Sequence, residues 1–149
     1  MMTIPFSIRT TVAQALKWTA LAGAVVVMGQ AGVLAEDTVS VLMKQRLADM
    51  AGKEATVLTV DYAPGAASDS HVHPGSVFAY VLEGTVVTQL EDGKLMTYTK
   101  GQSWYEPPKK PHLVSKNGSR TEPAKLLVFL LSEEGESIKA PMKSSGPGK

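Results

Sequence analysis

The sequence predicts an all-β domain, a sandwich or barrel of short strands, behind an N-terminal export segment. Three observations point there. From Glu54 onward, runs rich in β-branched and aromatic residues recur at a spacing of roughly ten residues. Clusters of Gly, Pro, Asn and Asp separate them, as turns separate the strands of sandwiches and barrels. Residues 1–35 contain no acidic residue and only two basic ones, Arg9 and Lys17, ahead of the apolar stretch WTALAGAVVVMGQAGVLA.

That first stretch has the layout of a secretory signal peptide, a basic region followed by an apolar one. Val33-Leu34-Ala35 suits cleavage before Glu36, with a cut after Ala31 as the alternative. The competing reading is a retained membrane anchor, because about 18 apolar residues are long enough to be considered for a span. Gly23, Gly29, Gln30 and Gly32 weaken that helix. The expected location is therefore periplasmic or secreted, with no membrane contact after cleavage; an N-terminal anchor is the alternative.

The remaining organisation reads as a lead-in over 36–53, a barrel over 54–132 and a polar tail over 133–149. The lead-in segment VLMKQRLADMAG suits neither a helical nor a strand period cleanly, so a short helix and an edge strand both stand. Eight strands are expected in the barrel: ATVLTVDY, a short extended piece around SHVH, SVFAYVLE, TVVTQL, KLMTYT, QSWYE, PHLVSKN and AKLLVFLLS. Glu91-Asp92-Gly93 is the expected hairpin turn. The last stretch, EEGESIKAPMKSSGPGK, reads as a loose tail.

Composition excludes several function classes. Without Arg9 and Lys17 the chain has 13 basic and 14 acidic residues, so no basic stripe is left for a nucleic-acid backbone. There is no cysteine, which removes disulfides, thiolate chemistry and Cys-ligated metal sites. Any metal must be held by imidazole or oxygen.

The chain has three histidines in all, His71, His73 and His112. Positions i and i+2 of an extended strand share a face, about 7 Å apart along it, so His71 and His73 can reach one ion. His112 lies on a later strand that a barrel can bring alongside. A metal-free structural or ligand-binding role for the three is the competing reading.

The run Gly65-x5-His71-x-His73-Pro74-Gly75, continuing to Tyr80-Val81-Leu82-Glu83-Gly84, resembles the first motif of the cupin family. Gly101-x5-Pro107-x4-His112 resembles the second, with Asn117 one place beyond the usual asparagine. The likeness spans residues 54–131. It implies a double-stranded β-helix, a jelly-roll barrel with the metal inside, and His71, His73 and His112 as ligands. One position departs: where the family usually places a Glu ligand, this chain has Val77, so the resemblance carries over no fourth ligand.

The other carboxylates near the motifs do not read as substitutes. Asp69 reads as a solvated turn residue, Glu106 as a solvated strand-end residue or local cap before Pro107-Pro108, and Glu83 as exposed. Phe78, Tyr80, Trp104 and Tyr105 are each expected to build the core rather than wall a pocket. The serines near His71 lack the surroundings of a nucleophile elbow.

One divalent transition metal is expected, from Fe, Zn, Cu, Ni or Mn; losing the Glu shifts the balance toward imidazole-loving ions. With no twin arginine, the chain is expected to cross unfolded and fill outside the cytoplasm, where Zn, Cu or Ni could occupy the site even if Fe is the working metal. Three neutral ligands leave the ion's charge uncompensated and strengthen its Lewis acidity. By family analogy the function is a dioxygenase-like or isomerase-like reaction on a small molecule. The alternatives are a non-catalytic holder of a metal or small ligand and a structural barrel with a vestigial site. A homodimer is expected by resemblance alone.

Overall fold

The computed structural model describes residues 36–142, and the expected export segment lies outside them. No helix among the described residues is long and apolar enough to cross a membrane. The described residues form eleven strands: β1 (Asp37–Arg46), β2 (Lys53–Tyr62), β3 (Ala67–Ser68), β4 (His71–Val72), β5 (Ser76–Glu83), β6 (Thr85–Leu90), β7 (Met96–Thr99), β8 (Ser103–Glu106), β9 (Pro111–Asn117), β10 (Ala124–Glu133) and β11 (Ala140–Pro141). All eight expected strands are present. The ambiguous lead-in is an edge strand, paired with β2 along its length.

Two antiparallel sheets face each other. One runs β1-β2-β10-β5-β8; the other runs β11-β4-β9-β6-β7, with β3 also on β9. Alternation decides what lies between them. β5 turns Val77, Ala79 and Val81 inward, and β10 does the same with Ala124, Leu126, Val128 and Leu130. With Leu58, Val60 and Tyr62 of β2 they make the first sheet an apolar wall. The second sheet adds Val86 to that core and otherwise turns in polar side chains, His71, Thr88, His112, Ser115 and Asn117. The hydrophobic effect thus holds the barrel mainly through one wall and leaves the other free for chemistry.

The same alternation corrects the reading of the aromatics. Phe78 is 50 % exposed and Tyr105 47 %, and Tyr80 also faces outward, being out of phase with the buried residues of β5. Only Trp104 points inward, packed on the core and stacked on Tyr98 at 4.7 Å between ring centroids.

Two turns show special backbone demands. At Gly75, which follows His73-Pro74, an added Cβ would lie 1.9 Å from the Leu131 carbonyl oxygen, so the chain can leave the histidine pair only without a side chain there. Asp92 sits at φ 61° in the expected hairpin turn, a conformation Asp tolerates better than most residues. The C-terminal stretch departs from a loose tail: Ala140 and Pro141 pair with Val72 and His71, so the chain returns to the edge of the second sheet.

Candidate metal centre

The three histidines come together. His71 on β4 pairs directly with His112 on β9 across the antiparallel ladder, which points both side chains to one face. His73, one residue past β4, shares that face by the two-residue period. Their ring centroids are 4.7, 5.1 and 6.5 Å apart, and one nitrogen from each lies within 4.8 Å of the others. The cluster is able to hold a metal ion.

Hydrogen bonds on the outer ring nitrogens set the inner ones. His71 Nδ1–H donates to the Asp69 carbonyl at 2.6 Å, and His73 Nδ1–H donates to the Ile138 carbonyl at 2.6 Å. Each Nε2 is then a bare lone pair, and the two sit 3.1 Å apart. Lone pairs brought this close repel unless a cation lies between them. Nitrogens bound to one first-row ion at about 2.1 Å sit roughly 3.0–3.4 Å apart, so the observed spacing fits a shared ion. His112 Nε2 meets Thr88 Oγ1 at 2.6 Å. When Nε2 carries the proton, Nδ1 turns its lone pair to the same spot. This is the outer-shell arrangement that orients metal-binding imidazoles.

Burial lowers the His71 pKa to about 4, and the imidazoles of His73 and His112 push the same way against the Asp69 carbonyl. Burial also lowers His73. Both rings are therefore neutral at pH 7, the form that ligates.

Glu106 corrects the sequence reading. It is 3 % exposed, neither solvated nor a cap, and its side chain enters the cluster from the opposite sheet. Oε2 lies 3.2 Å from His112 Nδ1 and 3.6 Å from His73 Nε2. Trp104 Nε1–H donates to Oε1 at 2.8 Å. Burial alone raises its pKa, but His112, His73 and the Trp104 donor outweigh burial and hold it below the ordinary carboxylate value. Neither Oε2 nor His112 Nδ1 makes an aligned hydrogen bond despite their closeness. Two buried polar atoms without bonds, lying beside each other at the histidine cluster, fit a cation site. The site is thus not surrounded by neutral groups alone. Asp69 and Glu83 are exposed, as expected, and Asp69 serves the site only through its carbonyl.

The cluster borders a cavity of about 50 Å³, room for a few water molecules. Val39, Val77, Ala79, Leu126, Val128 and Leu130 supply its apolar lining. Tyr62 reaches the same cavity, its hydroxyl held by Ser68 at 2.9 Å and Ser115 at 2.8 Å.

The Cupin domain family model matches residues 58–130, which hold both motifs and all three histidines. The chain belongs to the cupin family. Among curated proteins no sequence matches it. Solved structures share the cupin fold at low identity. An uncharacterized conserved protein with a double-stranded β-helix domain from Klebsiella pneumoniae is 21 % identical at TM-score 0.56, over 73 % of this chain and 86 % of that one. A cupin-like protein from Thermotoga maritima is 19 % identical at TM-score 0.56, over 74 % and 79 %. The DMSP lyase DddQ from Ruegeria pomeroyi is 18 % identical at TM-score 0.53, over 62 % of this chain and 45 % of that one. These likenesses bear on the barrel alone.

Proposed function

We propose that this cupin is an exported metal protein in which His71, His73 and His112 hold one divalent transition ion, Fe, Zn, Cu, Ni or Mn, for a dioxygenase-like or isomerase-like reaction on a small molecule. The single observation that carries the reading is the pair of Nε2 lone pairs 3.1 Å apart, each fixed by a carbonyl on the far side of its ring. When bound, such an ion supplies Lewis acidity, or oxygen chemistry if it is redox-active. The chain's own residues do the rest. Carbonyls of Asp69 and Ile138 orient the imidazoles, the valines and leucines of the first sheet give the cavity an apolar wall, and Tyr62 holds a phenolic proton beside it.

The size of the cavity favours one second reading, a non-catalytic holder of a metal or very small ligand, since about 50 Å³ admits little beside an ion and its waters. Two measurements separate the possibilities. Elemental analysis of protein exported by its host should give one metal per chain, and His73→Ala or His112→Ala should abolish it with the β circular dichroism retained. Stoichiometric metal in either variant would sink the three-histidine site. Oxygen uptake by Fe(II)-loaded protein with catechols, flavonols or thiols supports the enzyme; tight metal binding without turnover of any of them supports the holder. N-terminal sequencing of the same exported material should begin at Glu36 or Gly32.

A further inference from the structure

The carboxylate missing at Val77 has a counterpart on the neighbouring strand. β5 pairs with β8, and in that register Val77 stands directly opposite Glu106. Directly opposed residues of an antiparallel pair point to the same face with Cβ atoms about 5 Å apart. Both side chains are buried and both line the cavity of the three histidines. We infer that Glu106 is the carboxylate ligand of this metal centre, moved one strand sideways from the position that Val77 occupies.

Four features favour this over a structural acid. Only one oxygen is used by the protein: Trp104, two residues away on the same face of β8, binds Oε1 at 2.8 Å. That bond aims Oε2 at the histidines, where it lies 3.2 Å from His112 Nδ1 and 3.6 Å from His73 Nε2. Oε2 itself is fully buried and makes no aligned hydrogen bond, an arrangement that costs stability unless a cation takes the lone pair. A carboxylate kept only to bond His112 would be aligned with it. In addition, Trp104 is itself held by stacking on Tyr98, so the carboxylate is oriented by a packed chain of aromatic side chains.

The consequence is a shift in metal preference. An oxygen anion beside three imidazoles favours harder ions, Mn(II) and Fe(II), more than the imidazoles alone do. It also offsets part of the ion's charge.

The inference rests on the three-histidine reading, and titration calorimetry on metal-free protein separates the two. Wild type, Glu106→Gln, Val77→Glu and the exchange Val77→Glu/Glu106→Val are titrated with Mn(II) and Zn(II), with circular dichroism as the check on folding. Expected are stoichiometric binding by wild type, a loss of Mn(II) affinity of at least about tenfold in Glu106→Gln, a smaller loss for Zn(II), and recovery of Mn(II) affinity in the exchange. Val77→Glu alone should gain little, because it sets two carboxylates opposite each other. Water-proton relaxation of bound Mn(II) should show more exchangeable water in Glu106→Gln, where one protein ligand is gone. Absence of metal binding in wild type overturns both readings. Equal Mn(II) affinity and relaxivity in wild type and a folded Glu106→Gln overturns this one and leaves the histidine site standing.

Discussion

Tyr62 shows how a single side chain ties the core to the site wall. Its ring belongs to the apolar cluster, while its hydroxyl bridges Ser68 and Ser115 on the opposite sheet. Burial raises its pKa above the ordinary value of 10, helped by the negative charges of Asp37 and Glu106 and opposed by the two serine bonds. The sign of the linkage follows. The stability tied to the neutral phenol is complete below pH 10. Above it the unfolded chain loses this proton before the folded chain does, so stability falls as pH rises. Tyr62→Phe keeps the ring and removes the titration. At pH 7 it should cost about 1–2 kcal/mol through the unpaired serines, and the gap to wild type should narrow at pH 11. Urea unfolding at the two pH values measures this; a gap that stays constant would place the phenol's proton outside the folding equilibrium.

At the scale of elements, the second sheet carries a local irregularity that accounts for a detail of the sequence. Between Val114 and His112, β9 supplies two residues where β6 supplies one, Gln89 to Leu90. The extra residue is Leu113, a β-bulge, and it resets the phase of the strand so that His112, Ser115 and Asn117 all face inward. That is why the asparagine of the second motif falls one place late: counting residues misplaces it, while counting inward positions does not. Asn117 then donates to the Ala63 and Glu122 carbonyls at 3.1 and 2.8 Å and accepts from Ser119 N–H at 2.8 Å, tying β2 to the β9–β10 connection. The histidines were legible because their residue type is scarce and their spacing matches a strand period. Glu106 was not, because a Glu before two prolines has the local look of a strand end; its inward phase is visible only once Trp104, two residues earlier, is placed inside. Ile138 was out of reach for a different reason: it acts through a backbone carbonyl, which carries no residue signature.

The Ile138 carbonyl makes the C-terminal crossing part of the site. A chain ending at Glu136 lacks the acceptor for His73 Nδ1–H and the β11 pairing, whereas one ending at Met142 keeps both. The shorter chain should bind metal about tenfold more weakly or worse than the longer one, with both retaining their β circular dichroism, since β11 adds only two exposed residues to the sheet. Equal affinities would show that the imidazole needs no anchor from this strand.

For the molecule as a whole, folding and metal binding rest on different walls. The buried apolar cluster comes mostly from β2, β5 and β10, and no histidine belongs to it. The barrel should therefore fold without an ion, unlike small metal-dependent domains that have no core of their own. An ion that binds only the folded barrel adds stability by mass action: at a free concentration a hundredfold above its dissociation constant the gain is about 2.7 kcal/mol. In a domain of about a hundred residues each kcal/mol moves the midpoint by roughly 4–8 °C, so saturating Zn(II) should raise Tm by about ten degrees or more and a chelator should reverse it. The same addition to His73→Ala should do almost nothing, although that variant should melt cooperatively on its own. A metal-free protein with no cooperative transition would mean that the apolar wall cannot hold the barrel alone. A Tm that Zn(II) leaves unmoved in wild type would mean that the converging nitrogens do not bind the ion.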